Sequence, residues 1–268
     1  MSATPSNIKI SRPAKNQPIS AVTLLTHGFN LRPARLADIA DTLLPLGHIV
    51  VNLTLTGHDG DYANLSSVTR DIWLEDMQRA TLKALNLSIE HGAPLNFVGI
   101  SLGALLNVDM LNHTKDNGEA PLFNKRVLLV PALRLRWYSH LLRCLNYLPW
   151  LKNISSRSPV AFRVHDQLPL AAYNAAFASA AATTELNTLN LSIPTLMFAA
   201  PKDELVSFSG LAQIIARYPS APWMLVPLDN SESNVSPHFA HNCVDSESMG
   251  HSCWSKFKLE LIRFLESA

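Results

Sequence analysis

The chain has 268 residues, 47% of them hydrophobic and 16% charged, with a formal net charge of +1. That length suits one domain with an insertion, and the apolar content supports a large core and excludes disorder. The near-neutral balance argues against a nucleic-acid partner.

The three cysteines, Cys144, Cys243 and Cys253, cannot complete a disulfide framework and read as reduced thiols. Residues 1-20 read as a polar N-terminal extension containing Pro5, Pro13 and Pro18, with no apolar signal core. No apolar run approaches membrane-spanning length, so a soluble, cytoplasmic protein is expected.

Ala21-Val22-Thr23-Leu24-Leu25-Thr26 is a buried-strand run that stops at His27-Gly28-Phe29-Asn30. Pro33 opens a helix with Leu36, Ile39, Ala40 and Leu43 at helical spacing, ending near Pro45-Leu46-Gly47. His48 to Leu55 is the next strand, and Thr56-Gly57-His58-Asp59-Gly60-Asp61 is its polar exit loop. Val68 to His91 is a long helix whose Trp73, Met77, Ala80, Ala84 and Leu87 form a packing stripe. Leu95 to Ile100 then arrives at Ser101, an Ala/Leu-rich helix leaves it, and Arg126 to Val130 is another buried strand. Strand and helix alternate, which right-handed crossovers turn into a parallel sheet flanked by helices.

The alternation breaks after Pro131. Arg134 to Leu148 reads as an amphipathic helix, with Trp137, Leu141, Leu145 and Leu148 on its apolar side, and Pro169 to Ala182 as a second helix. Residues 133-189 are therefore expected to form an inserted helical cap over the carboxyl edge of the sheet, with 21-132 and 190-268 as the core. Through Asp166 the insertion carries Arg134, Arg136, Arg143, Lys152, Arg157 and Arg163 against that single acid. Such a face can simply be solvated, but it would also suit transient contact with an anionic lipid surface. The sheet resumes at Pro194 to Ala200 and exits through Pro201-Lys202-Asp203-Glu204-Leu205-Val206. A helix (Phe208 to Tyr218), a strand (Trp223 to Leu228), a long polar loop and a terminal helix through Trp254, Phe257 and Leu261 complete the chain.

Gly99-Ile100-Ser101-Leu102-Gly103 is the stretch with chemical content. A Gly-x-Ser-x-Gly string arises by chance in loops, and a helix-capping serine is its bland reading. Here it joins a strand to a helix, where glycines two residues either side let the two elements pass closely and hold the hydroxyl clear of the backbone. A serine hydroxyl needs a base, and the base needs an acid to fix its tautomer. Asp203 follows a strand's carboxyl end, as Ser101 does, and the last loop supplies His238 and His241, with His251 next to the terminal helix. His251 abuts that helix, whose N-terminus disfavours an imidazolium, so His241 is preferred as base, with His251 and His238 as alternatives. The amides of Phe29 and Leu102 would form the oxyanion hole, and His27 would pin the Gly28-Phe29 loop through a backbone hydrogen bond. His238, His241, Cys243, His251 and Cys253 match no zinc spacing, so neither metal nor cofactor is expected.

His27-Gly28-Phe29, Leu55-Thr56-Gly57-His58-Asp59-Gly60, Asp71-Ile72-Trp73, Gly99-Ile100-Ser101-Leu102-Gly103 and Asp203, in this order, resemble bacterial carboxylesterases of the monoacylglycerol-lipase-like group of α/β-hydrolases. The resemblance implies an α/β-hydrolase fold and hydrolysis of a small-molecule or lipid carboxylic ester through an acyl-enzyme on Ser101. Lysophospholipids and thioesters stay open as substrates of the same triad. A hydrolase-fold binding protein is the rival of another class, and the complete Ser/Asp/His set argues against it.

Overall fold

Six consecutive buried residues make β2 (Ala21–Thr26) an interior strand of the sheet. β3 (His48–Thr54) pairs along one side of it and β4 (Leu95–Ile100) along the other, both parallel. Beyond β4 follow β5 (Lys125–Leu129), β8 (Thr195–Ala199) and β9 (Trp223–Pro227), each parallel to its neighbour. The computed structural model describes residues 7–114, 121–139, 151–229, 231, 233 and 240–267. Among them the order of this sheet is β1-β3-β2-β4-β5-β8-β9.

Its edge strand, β1 (Asn7–Ser11), runs antiparallel to β3 and lies within the segment read from sequence as an extension. Ile8 and Ile10 alternate with polar neighbours and pack half-buried against the core. Two apolar residues are enough for an edge strand with one face in water, but too few to stand out as a periodic run.

The chain leaves β2 toward β3 and leaves β4 in the opposite direction toward β5. The carboxyl ends of β2 and β4 therefore border the crevice where a doubly wound sheet takes its ligand. Pro33 opens a 3-10 turn that runs into α1 (Ala37–Leu43), and Gly47 closes the segment at φ +87°. α3 (Arg70–His91) starts on Thr69, whose Oγ1 accepts the Ile72 N–H, and stops at Gly92 in the left-handed region. α3 and α4 (Leu102–His113) cover one face with Trp73, Met77, Leu105 and Val108. α1 and the terminal α9 (His251–Glu266) cover the other with Ile39, Leu43, Phe257 and Leu261.

Between β5 and β8 the described part of the insertion is a two-stranded antiparallel ribbon, β6 (Asn153–Ser155) with β7 (Gln167–Pro169), followed by α5 (Leu170–Ala182). α6 (Thr188–Ser192) spans the junction expected at 189/190, while α2 (Tyr62–Ser66) precedes α3 and α7 (Phe208–Arg217) follows β8. The helix expected from Arg134 does not start there. Leu135 instead bridges Val206, Arg136 N–H donates to Leu205 C=O, and Ser207 N–H donates to Arg134 C=O. The neighbouring loop thus satisfies backbone groups that a helix would have paired internally. Residues 140–150, with the rest of that expected helix, lie outside the described residues.

Of the basic face, Arg134, Arg136 and Arg163 are half-buried, and Arg143 lies outside the described residues. Arg134 donates to the carbonyls of Leu133 and Thr184, Arg136 to those of Asp203 and Pro201, and Arg163 to Asp166 and to the carbonyls of Ser156 and Ser158. Lys152 and Arg157 are exposed. Among the described residues, no helix is long and apolar enough to cross a membrane.

Candidate active site

Ser101 sits between β4 and α4 at φ 47°, ψ −105°, a conformation that costs a non-glycine residue on the order of 1–3 kcal/mol. The surroundings impose it. Ser101 N–H donates to Leu129 C=O at 2.9 Å, while its own carbonyl accepts from Leu105 at 3.0 Å and Ala132 at 3.3 Å. Val130, also at positive φ, turns the chain after β5 so that Ala132 reaches that carbonyl.

The side chain is nearly buried and meets His241: Ser101 Oγ and His241 Nε2 are 2.8 Å apart. His241 Nδ1 lies 2.8 Å from Asp203 Oδ2, so Nδ1 carries the proton donated to the carboxylate and Nε2 is left to accept from the serine hydroxyl. Asp203 is fully buried, and its Oδ1 accepts the N–H groups of Leu205 at 2.7 Å and Val206 at 2.8 Å. Among the described residues no Lys or Arg pairs with this carboxylate, and these two N–H groups hold it. Burial pushes the His241 imidazole down, but the charge and hydrogen bond of Asp203, with the charge of Glu204, outweigh it and leave the group raised above 6.5.

Of the three histidines weighed from sequence, the structure brings His241 to Ser101. His251 is the first residue of α9 and is exposed there, and His238 lies outside the described residues. Cys243 donates to Ala240 C=O, and among the described residues no three His, Cys, Asp or Glu side chains gather as metal ligands would.

Phe29 and Leu102 flank the serine. Leu102 opens α4, so its amide is one of the four N–H groups a helix leaves unpaired at its start. A Cβ on Gly28 would stand 3.2 Å from Ser101 Cβ, which measures how closely the Phe29 loop passes the hydroxyl. His27 holds that loop. Leu55 N–H donates to its Nε2 at 3.0 Å, so the proton is on Nδ1, which donates to Gly28 C=O at 2.8 Å.

Two supports were not foreseen. His58 accepts the N–H of Asn30 at 3.0 Å. Asn30, at φ 54°, bonds the insertion through Ser156 Oγ, His165 C=O and His165 N–H. An Asn directly after His-Gly-Phe was the available signal, since asparagine tolerates the left-handed region and can both donate and accept.

The histidines make an acid-sensitive frame. Burial lowers His27 and His48 from 6.5 to about 4 and His58 well below 6.5. Each is neutral in the fold and protonates in the unfolded chain below 6.5, so its stabilisation is complete above 6.5 and drains away as pH falls toward 4. For His27 or His48 this amounts to about 3 kcal/mol at most. Urea unfolding is expected to show stability dropping steeply from pH 6.5 to pH 5; a flat profile would mean that these rings are charged in the fold.

This sheet, with its strained serine at the crevice, is the fold of the α/β-hydrolases. No protein-family model and no curated protein matches the sequence. Solved structures do match. A soluble variant of monoglyceride lipase from Saccharomyces cerevisiae superposes with a TM-score of 0.76 at 13% identity, over 97% of this chain and 91% of that one. A metagenome-derived lipolytic enzyme gives 0.70 at 17%, over 98% and 97%. The monoacylglycerol lipase of Paleococcus ferrophilus gives 0.65 at 13%, over 97% and 98%. At these identities the likeness is one of fold.

Proposed function

We propose that the protein is a serine hydrolase that cleaves carboxylic esters, with small acyl or lipid esters as substrates. The observation that carries this reading is the chain of two 2.8 Å contacts from Ser101 through His241 to buried Asp203, at the crevice of the sheet. Neighbours named as lipases and lipolytic enzymes support it.

In this reading Ser101 Oγ attacks the ester carbonyl carbon while its proton passes to His241 Nε2. Asp203 keeps the imidazole in the right tautomer and stabilises the imidazolium. The carbonyl oxygen takes up negative charge facing the Phe29 and Leu102 amides. Collapse expels the alkoxide, which takes the proton from His241 and leaves as the alcohol. Water, deprotonated by the same histidine, then releases the carboxylic acid and restores the serine. Thioesters and lysophospholipids fit the same steps. Contact with an anionic lipid surface, as part of this proposal, falls to exposed Lys152 and Arg157.

The test is a chain-length series of p-nitrophenyl esters followed in the first turnover. The parent is expected to release a burst of p-nitrophenol equal to the enzyme present, and Ser101→Ala none. A folded parent giving neither burst nor turnover with any ester would leave a hydrolase-fold binding protein.

A further inference from the structure

A second carboxylate stands beside the site, and the chemistry above gives it no part. Glu204 follows Asp203 in the exit loop of β8, and its half-buried side chain crosses to the last loop, where Oε2 accepts the backbone N–H of His241 at 3.1 Å. The loop that carries it is pinned from the insertion. Tyr138 hydroxyl donates to Glu204 C=O, Arg136 Nε to Asp203 C=O at 2.5 Å, and Arg136 N–H to Leu205 C=O at 2.8 Å.

We propose that Glu204 is a positioning residue for the base, fixing the main chain of His241 and supplying a second negative charge to the imidazolium that forms when Ser101 gives up its proton. The inference rests on the reading of His241 as base.

A neutral acceptor could also take the backbone bond, though more weakly. Two neighbouring carboxylates repel each other, and burial pushes Glu204 up from its ordinary value, so its charge has a cost that the hydrogen bond alone does not require. The backbone N–H of Glu204 offsets part of that cost, and the imidazole, whose proton Glu204 favours together with Asp203, and the His241 N–H offset more of it. The other titratable groups facing this corner do not replace the imidazole. Arg136 directs its guanidinium at the carbonyls of Asp203 and Pro201, Tyr138 at that of Glu204, and the Cys243 thiol is held protonated by burial.

The test compares parent, Glu204→Gln and Glu204→Ala. In the parent, kcat/KM for a p-nitrophenyl ester falls on the acid side as His241 protonates, with a midpoint above 6.5. Glutamine keeps an acceptor and removes the charge: the midpoint is expected about half a unit lower, with kcat nearly retained. Alanine removes both: the same movement, with kcat down about tenfold at unchanged KM. A merely structural role would lower kcat without moving the midpoint. Equal midpoints in all three proteins would overturn the proposal. The 15N resonances of the His241 ring report the same midpoint without turnover, so an inactive parent would overturn the esterase reading alone.

Discussion

His241→Ala is expected to lower kcat for an activated ester by on the order of 10⁴-fold or more, while His251→Ala keeps most of the parent's activity. The two residues lie ten positions apart on either side of α8 (Ser246–Met249), and the geometry separates them. His241 lies within hydrogen-bonding distance of both Ser101 Oγ and the Asp203 carboxylate. Without its ring the serine has no proton acceptor, and the Asp203 carboxylate keeps two backbone partners but loses its third. The His251 ring is exposed at the start of α9. Its removal leaves the contacts among Ser101, His241 and Asp203 in place. Asp203→Asn should fall with His241→Ala, because an amide no longer fixes the tautomer. Steady-state rates on purified variants of parent-like melting temperature decide the matter. High activity in His241→Ala with loss in His251→Ala would assign the base to the other histidine.

The sequence carried this much because the pieces concerned are local. A buried parallel strand is a short apolar run, and a nucleophile elbow is a five-residue pattern with strand before and helix after, so β2, β4, Ser101 and α4 could be read directly. Asp203 was legible as an acid at a strand exit, and His241 as the histidine clear of the terminal helix. What stayed hidden depends on partners distant in sequence. Arg134–Arg136 has helical periodicity, but its backbone is satisfied by residues 205–207, and no local pattern reports that pairing. Arg134, Arg136 and Arg163 look like a solvated face until the carbonyls they bond are known. Glu204 could have been another exposed loop acid; its side chain meets a residue 37 positions away.

Gly103→Ala is expected to damage fold and activity together, against the helix-propensity scale. Gly103 is the second residue of α4 and has no positive φ, so on propensity alone alanine would stabilise the helix by up to about 1 kcal/mol. Close approach decides the sign. A Cβ there would stand 2.6 Å from His27 C=O and 2.7 Å from Thr26 C=O, which are backbone atoms at the carboxyl end of β2 and cannot swing aside. Relief requires α4 and β2 to move apart, which opens packed core on one side and shifts the His27–Phe29 loop on the other. The expected loss is about 3 kcal/mol in urea unfolding, with kcat down at least about a hundredfold because the Phe29 and Leu102 amides, proposed as the oxyanion hole, lose their spacing. Gly92→Ala is the control. Its Cβ meets open space, and its cost of about 1 kcal/mol comes from φ +59° alone, with activity unchanged. If Gly103→Ala proved as stable and as active as the parent, the tight crossing of α4 over β2 would be refuted, and with it the physical reason for a glycine two residues after the serine.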